Sequence, residues 1–263
     1  GPPPGSAETN FGKILKKNLA SHRDEMIISS KAGHLMWPGP YGDGSSRKYL
    51  MASIDQSLQR TGLEYFDIFY SHRYDPYTPV EETMQALIDI VHQGKALYVG
   101  ISKYPPLQAI EAMTYLKEHD VPCLIYQDRY NMFQREPEKE ILNIANKFGA
   151  GFIAFSPLAQ GILTDKYLNG IPEHSRAADP TGFLRREQVT DQLIEKVKKL
   201  NEIATQREQT MAEMALAWVL RDERVTSVII GARNVNQIKD NLKALDNLSF
   251  TQEELEHIDS IVN

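Results

Sequence analysis

One cysteine, Cys123, stands in 263 residues, so no internal disulfide can staple the chain, and a reducing cytoplasm is the compartment this implies. Cys123 itself reads as a small buried apolar residue in a strand. No apolar run approaches the roughly 20 residues that cross a bilayer, and no signal-peptide pattern opens the chain, so no membrane partner is expected. Basic stretches are missing as well. The formal net charge is −6 with both signs mixed throughout, which leaves no Lys/Arg stripe for a nucleic-acid backbone or an anionic lipid surface. The usual nucleotide signals of open α/β sheets, a strand-Gly-x-Gly-x-x-Gly-helix unit or a Gly-Lys-Ser/Thr P-loop, are absent. The seven histidines, at 22, 34, 72, 92, 119, 174 and 257, form no His-x-His pair, so no metal site is expected. Ser71 and Ser156 lack the tight-turn context of a hydrolase nucleophile.

What remains is ordinary globular composition. A hydrophobic fraction of 41% and a charged fraction of 24% without low-complexity tracts predict an ordered, soluble protein. The length suits a single α/β barrel domain over residues 1–263.

The pattern alternates strand and helix. The spacing of Phe11, Ile14, Leu15 and Leu19 predicts a helix over 6–19 with Ser6 as N-cap. A strand over 26–31 follows, then a glycine- and proline-rich loop over 32–46 that carries Trp37 and Tyr41. Further helices are predicted over 46–60, 78–94, 106–119, 138–148, 191–206, 234–245 and 251–262, with another that opens at Thr210 and bears Leu216 and Trp218. Further strands are predicted over 65–73, 96–102, 123–127, 151–156 and 225–230. Thr210/Glu213 and Thr251/Glu254 have the spacing of capping boxes. The long stretch 157–190 breaks the rhythm, and loops of that length are usually functional. Alternation of this kind allows an open doubly wound sheet or a (β/α)8 barrel, and the missing nucleotide motifs favour the barrel.

Residues at the C-terminal ends of such strands share one face and carry chemistry. Here they are Lys31, His72, Ser102 with Lys103, Gln127, Ser156 with its long loop, and Gly231 with Arg233. A lysine closing a run as apolar as Met-Ile-Ile-Ser-Ser-Lys needs a partner, since an unpaired ammonium is costly to bury. Asp67 and Asp75 are the expected carboxylates, and a purely structural ion pair is one reading of Lys31. His72 ends an aromatic strand and pairs with Lys31 as a candidate for chemistry; a capped loop histidine is the plainer reading. Arg233, near a helix start, suits a phosphate, and it equally suits an exposed arginine that caps nothing.

The motifs Ile-Ile-Ser-Ser-Lys-Ala-Gly33, Gly62-Leu-Glu-Tyr-Phe-Asp-Ile-Phe-Tyr-Ser-His-Arg73, Gly94-Lys-Ala-Leu-Tyr-Val-Gly-Ile-Ser102, Phe155-Ser-Pro-Leu-Ala-Gln-Gly-Ile-Leu-Thr164 and Ile230-Gly-Ala-Arg233 resemble the aldo-keto reductases. Within that family they resemble the branch of bacterial L-glyceraldehyde 3-phosphate reductase-like enzymes and potassium channel beta subunits. The resemblance implies a (β/α)8 TIM barrel that binds NADPH without a Rossmann fold. It implies Lys31 as the lysine that lowers the pKa of a catalytic tyrosine and His72 as the residue that orients the substrate carbonyl. Ser102, Lys103 and Gln127 correspond to the nicotinamide carboxamide site, and Phe155 to the ring that stacks on the nicotinamide. Ser156, Leu158, Gln160, Gly161, Lys166 and Arg176 correspond to the pyrophosphate site. Gly231, Arg233, Gln237 and Asn241 correspond to the adenosine and 2′-phosphate site, where an arginine favours NADPH over NADH. Trp37 and Tyr41, aromatics on the long loop 32–46, have two readings, as the lining of a substrate pocket or as plain packing of the loop.

The family's Asp-x-x-x-x-Tyr segment is not found in these residues; alignment sets its tyrosine immediately before Gly1. The first two barrel strands and first helix are expected to be missing with it. The function implied is NADPH-dependent reduction of small aldehydes or ketones, such as methylglyoxal or glyceraldehyde 3-phosphate. The alternative is an NADPH-binding regulatory subunit with little turnover. A homo-oligomer is compatible with either.

Overall fold

The computed structural model describes residues 3–179 and 182–263. Residues 1 and 2 of the opening and residues 180 and 181 of the expected long loop lie outside the described residues. The chain divides into two compact units, Gly1–Gln127 with Asn143–Gly151, and Asp128–Leu142 with Phe152–Asn263.

In the first unit, helix α1 (Ser6–Ile14) packs so closely on α2 (Arg47–Thr61) that a Cβ on Gly12 would lie 2.6 Å from the Thr61 carbonyl oxygen. The predicted helix 6–19 is shorter than expected. A π-helical turn at Leu15–Leu19 and a 3-10 segment at Ala20–Glu25 follow α1. The residue before the helix is also not the expected Ser6 but Gly5, at φ 83, a conformation that glycine reaches without strain. Gly12 and Leu15 turn inward and Ile14 is left 55% exposed, so the seated face is set by the α2 contact rather than by the apolar count.

Strand β1 (Ser29–Ala32) pairs in parallel with β2 (Phe66–Ser71), which pairs with β3 (Ala96–Ser102), which pairs with β4 (Cys123–Arg129). The register sets Lys31 opposite Tyr70 and Ser102 opposite Gln127. Phe66, Phe69 and Tyr70 are buried, as an apolar run in a covered parallel sheet requires. Ser46 caps α2 through Tyr49 N–H, and Gly62 at φ 71 closes it. Helices α3 (Val80–His92) and α4 (Pro106–Glu118) complete the strand-helix alternation. Between the strands Gly100 meets the Tyr70 ring, where a Cβ would lie 2.5 Å from the ring edge.

In the second unit, the helix predicted over 138–148 forms only as α5 (Ile141–Lys147), behind a 3-10 turn at Glu136–Glu138. The Glu138 carboxylate is held by the Tyr130 hydroxyl at 2.6 Å and by Arg135 at 2.9 Å, which commits it to the turn. Strand β5 (Gly151–Phe155) pairs in parallel with β6 (Val225–Ile229), Phe155 opposite Ile229. Helices α6 (Asp191–Gln206), α7 (Met211–Leu220), α8 (Val235–Leu242) and α9 (Gln252–Val262) follow. Both expected capping boxes are formed. Trp218 is buried, with the Arg221 and Arg135 guanidinium groups 3.8 and 5.1 Å from its ring. Helix α8 ends at Leu242, short of the expected 245, and passes into a 3-10 turn at Lys243–Asp246. Among the described residues no helix is long and apolar enough to cross a membrane.

Candidate active site

In the first unit the end of β1 delivers Lys31. Its Nζ donates to Oε1 of Gln127 at 2.5 Å. This corrects the expectation of a carboxylate partner. Asp67 is taken by Arg23 at 2.9 Å and by the Ile28 N–H at 2.7 Å. Asp75 accepts from Ser45 N–H, Tyr77 N–H and the Thr78 hydroxyl. Burial lowers the Lys31 pKa, and the Lys103 charge lowers it further.

His72 follows β2, its N–H bound to the Ala32 carbonyl at 2.8 Å. Burial, then the charges of Lys31 and its neighbours, pull its pKa down to about 3, so the imidazole is neutral near pH 7. Ser102 and Gln127 are buried at the ends of β3 and β4. Lys103 adopts φ 54, and its N–H donates to the Gln127 carbonyl at 3.3 Å. Lys31, His72, Ser102, Lys103 and Gln127 therefore occupy the C-terminal ends of four adjoining strands. Trp37 stacks on Tyr49 with ring centroids 5.2 Å apart, while Tyr41 is 48% exposed with the Lys48 ammonium 4.9 Å from its ring.

Sequence reasoning passed over His34. Its ring meets that of His72 edge to face at 4.4 Å, and the Tyr49 hydroxyl holds its carbonyl. Arg73 is nearby, bound to Asp43 at 2.9 Å. The signal was a histidine one residue beyond Gly33 in a loop that leaves a candidate strand end, too common a pattern to stand out.

In the second unit Phe155 ends β5 with the Arg129 guanidinium 5.5 Å from its ring. Ser156 turns at φ 53, its carbonyl held by Asn131 Nδ2 at 3.0 Å. Ala159, Gln160 and Gly161 follow at φ 45, 60 and 101, a left-handed run that leaves Leu158 at its mouth. Lys166 lies in the 3-10 turn Asp165–Tyr167. A Cβ on Gly231 would meet the Arg176 guanidinium at 3.5 Å and nothing nearer. Arg233 donates to the His174 carbonyl at 2.9 Å, and its N–H is capped by Gln237. Asn241 lies one turn beyond Gln237 on α8. Among the described residues Lys166, Arg176 and Arg233 form no salt bridge, and no group of three His, Cys, Asp or Glu is placed to hold a metal ion.

A profile described as the Aldo/keto reductase family matches residues 3–263. L-glyceraldehyde 3-phosphate reductase of Escherichia coli O157:H7 is 54% identical over 263 residues, covering 98% of this chain and 76% of that protein. The protein of the same name from Escherichia coli strain K12 gives the same identity and coverage. A probable voltage-gated potassium channel subunit beta of Oryza sativa subsp. japonica is 36% identical over 265 residues, covering 98% of this chain and 80% of its own. With strands and helices in alternation and a family match running from residue 3 to the last residue, the chain belongs to the aldo/keto reductase family and is an oxidoreductase of the α/β barrel class.

Proposed function

We propose that this oxidoreductase passes hydride from NADPH to small aldehydes and ketones, with glyceraldehyde 3-phosphate and methylglyoxal in its substrate class. The observation that carries the reading is the placement of Lys31, half-buried on β1 and bound to an amide, beside a neutral His72 just past the end of the neighbouring strand β2. A neutral imidazole can donate a hydrogen bond to a carbonyl oxygen without adding a charge to the site. The Lys31 ammonium favours the phenolate form of a tyrosine set beside it and so brings that tyrosine's pKa toward working pH. The name of the bacterial relatives supports the phosphorylated three-carbon aldehyde.

The residues present suit the cofactor. Ser102 and Gln127 offer a hydroxyl and an amide to the carboxamide, and Phe155 offers an aromatic face to the ring. Arg176 beside the unencumbered Gly231, and Arg233 with no carboxylate partner among the described residues, suit phosphate oxygens, as does Lys166. Gln160 and Gly161 lie in a left-handed run directly after Leu158, a backbone shape that suits close approach of a ligand. NADPH, when bound, supplies the hydride. The chain's own residues bind it, orient the carbonyl and shift a proton affinity.

The test is NADPH oxidation by the full-length protein with methylglyoxal and with glyceraldehyde 3-phosphate, alongside NADPH binding followed by fluorescence. The reading expects binding and turnover together. Tight binding with no reduction of any aldehyde overturns it.

A further inference from the structure

Where the chain leaves β1, Gly33 turns at φ 150, and a side chain there would set its Cβ 3.0 Å from the Cβ of His72. Glycine alone lets the loop cross His72 at that distance. The crossing is then clamped at three successive carbonyls, each by a donor from a different place: Ala32 by the His72 N–H at 2.8 Å, Gly33 by Arg73 Nε at 2.7 Å, and His34 by the Tyr49 hydroxyl at 2.5 Å. Tyr49 is fully buried on α2, so the last clamp is anchored in the core. The product of this arrangement is the His34 ring, brought edge to face against His72 at 4.4 Å and 83°.

Catalytic histidines are usually oriented by a carbonyl or carboxylate that accepts from one ring nitrogen. Among the described residues His72 has no such orienter. No group among them hydrogen-bonds its ring; the titratable groups that face it are Lys31, His34, Lys103 and Arg73, of which the three basic side chains offer no acceptor and the His34 ring makes no hydrogen bond to it. The second torsion of a histidine is broad and roughly two-fold, so the ring is free to rock and flip unless something packs against it. His34 is the ring that packs.

We propose that His34 is the positioning residue of the site: its imidazole, seated by the Gly33 crossing and the Tyr49 clamp, fixes the ring of His72 in the orientation that meets the substrate carbonyl. This rests on the reading of His72 as the group that contacts that carbonyl. Removal of the His34 ring leaves His72 present but loosely aimed, and misplacement on that scale costs roughly tenfold to a hundredfold in rate. A phenyl ring at position 34 keeps the edge-to-face packing without the nitrogen atoms.

The experiment uses the full-length protein and its His34→Ala, His34→Phe, His72→Ala and doubly substituted His34→Ala/His72→Ala versions, with kcat and KM for methylglyoxal and histidine-ring NMR signals read on each. The expected result is a tenfold or larger fall in kcat/KM for H34A, carried mainly by kcat, with most of it recovered in H34F and no further fall when H34A is added to H72A. The His72 ring signals should shift or broaden in H34A and stay in place in H34F. Equal loss from H34A in both backgrounds, or no loss with unmoved His72 signals, overturns the proposal. If the full-length protein reduces no aldehyde, the enzymatic reading fails, and the NMR comparison alone still decides the positioning: unmoved His72 signals in H34A overturn it.

Discussion

Lys31 Nζ donates to Gln127 Oε1 at 2.5 Å across the first unit. An ammonium held by a neutral amide keeps its proton less firmly than one held by a carboxylate, because no opposite charge offsets burial. Burial therefore dominates its lowered pKa, with Lys103 as the second cause.

The role of Lys103 is testable through pH. Its positive charge disfavours protonated Lys31, so its removal raises the Lys31 pKa. In Lys103→Ala the alkaline limb of the kcat/KM profile should move to higher pH, and the acid limb should move up with it, because the same charge also lowers the His72 pKa. An alkaline limb that moves down, or does not move, would show that Lys103 does not bear on Lys31.

His72 links pH to stability. Its pKa is about 3 in the folded protein, held down first by burial, and about 6.5 in the unfolded chain. Between those values the unfolded state binds more protons, so stability rises with pH across that window and is lost as pH falls from about 6.5 toward 3. In urea melts at pH 7 and at pH 4.5, His72→Asn should lose less stability on acidification than the parent protein. An equal loss in both would place the acid sensitivity elsewhere.

The assignment of Arg233 to the 2′-phosphate of NADPH is testable through cofactor choice. A guanidinium on a phosphate contributes a charge-assisted hydrogen bond of about 1.5–3 kcal/mol, or roughly tenfold to a hundredfold in affinity. Arg233→Ala should weaken NADPH by that factor and leave NADH nearly unchanged, as measured by the two KM values side by side. Equal weakening of both would remove the 2′-phosphate from its assignment.

Gly100 tests the packing beneath the site. A methyl group there would sit 2.5 Å from the Tyr70 ring edge and 2.9 Å from the Ile125 carbonyl oxygen, neither of which can yield without shifting β2 or β4. Gly100→Ala should cost about 1–3 kcal/mol, the range for overpacking. The shift in denaturant midpoint measures it.

Much of this was legible in the chain. The aromatic run ending in His72 has the pattern usual for a covered parallel strand, and the Thr/Glu spacings at 210/213 and 251/254 name their own helix starts. The strand ends could be read to within two residues: β1, β2, β3 and β4 close at Ala32, Ser71, Ser102 and Arg129, against the end residues expected at 31, 72, 102 and 127. The partner of Lys31 could not be read, since Asp67 and Asp75 are both distant in sequence and only the fold shows both already committed, Asp67 to Arg23 and the Ile28 N–H and Asp75 to the Ser45 N–H. The break in the first helix was hidden for a similar reason: Ile14 and Leu15 are alike in hydropathy, and the close contact of Gly12 with Thr61 decides which turns inward. His34 was invisible because its importance lies in a ring contact across a loop, which no periodicity records.

The most direct test of the central claim is NADPH oxidation in the presence of methylglyoxal by the full-length protein beside its Lys31→Ala and His72→Ala versions, with NADPH affinity measured on each. The account predicts turnover by the parent protein, a fall of at least about a hundredfold in kcat for Lys31→Ala and about tenfold or more for His72→Ala, and NADPH affinity kept in both. Undiminished turnover in either variant, or a parent protein that binds NADPH and reduces nothing, would contradict it.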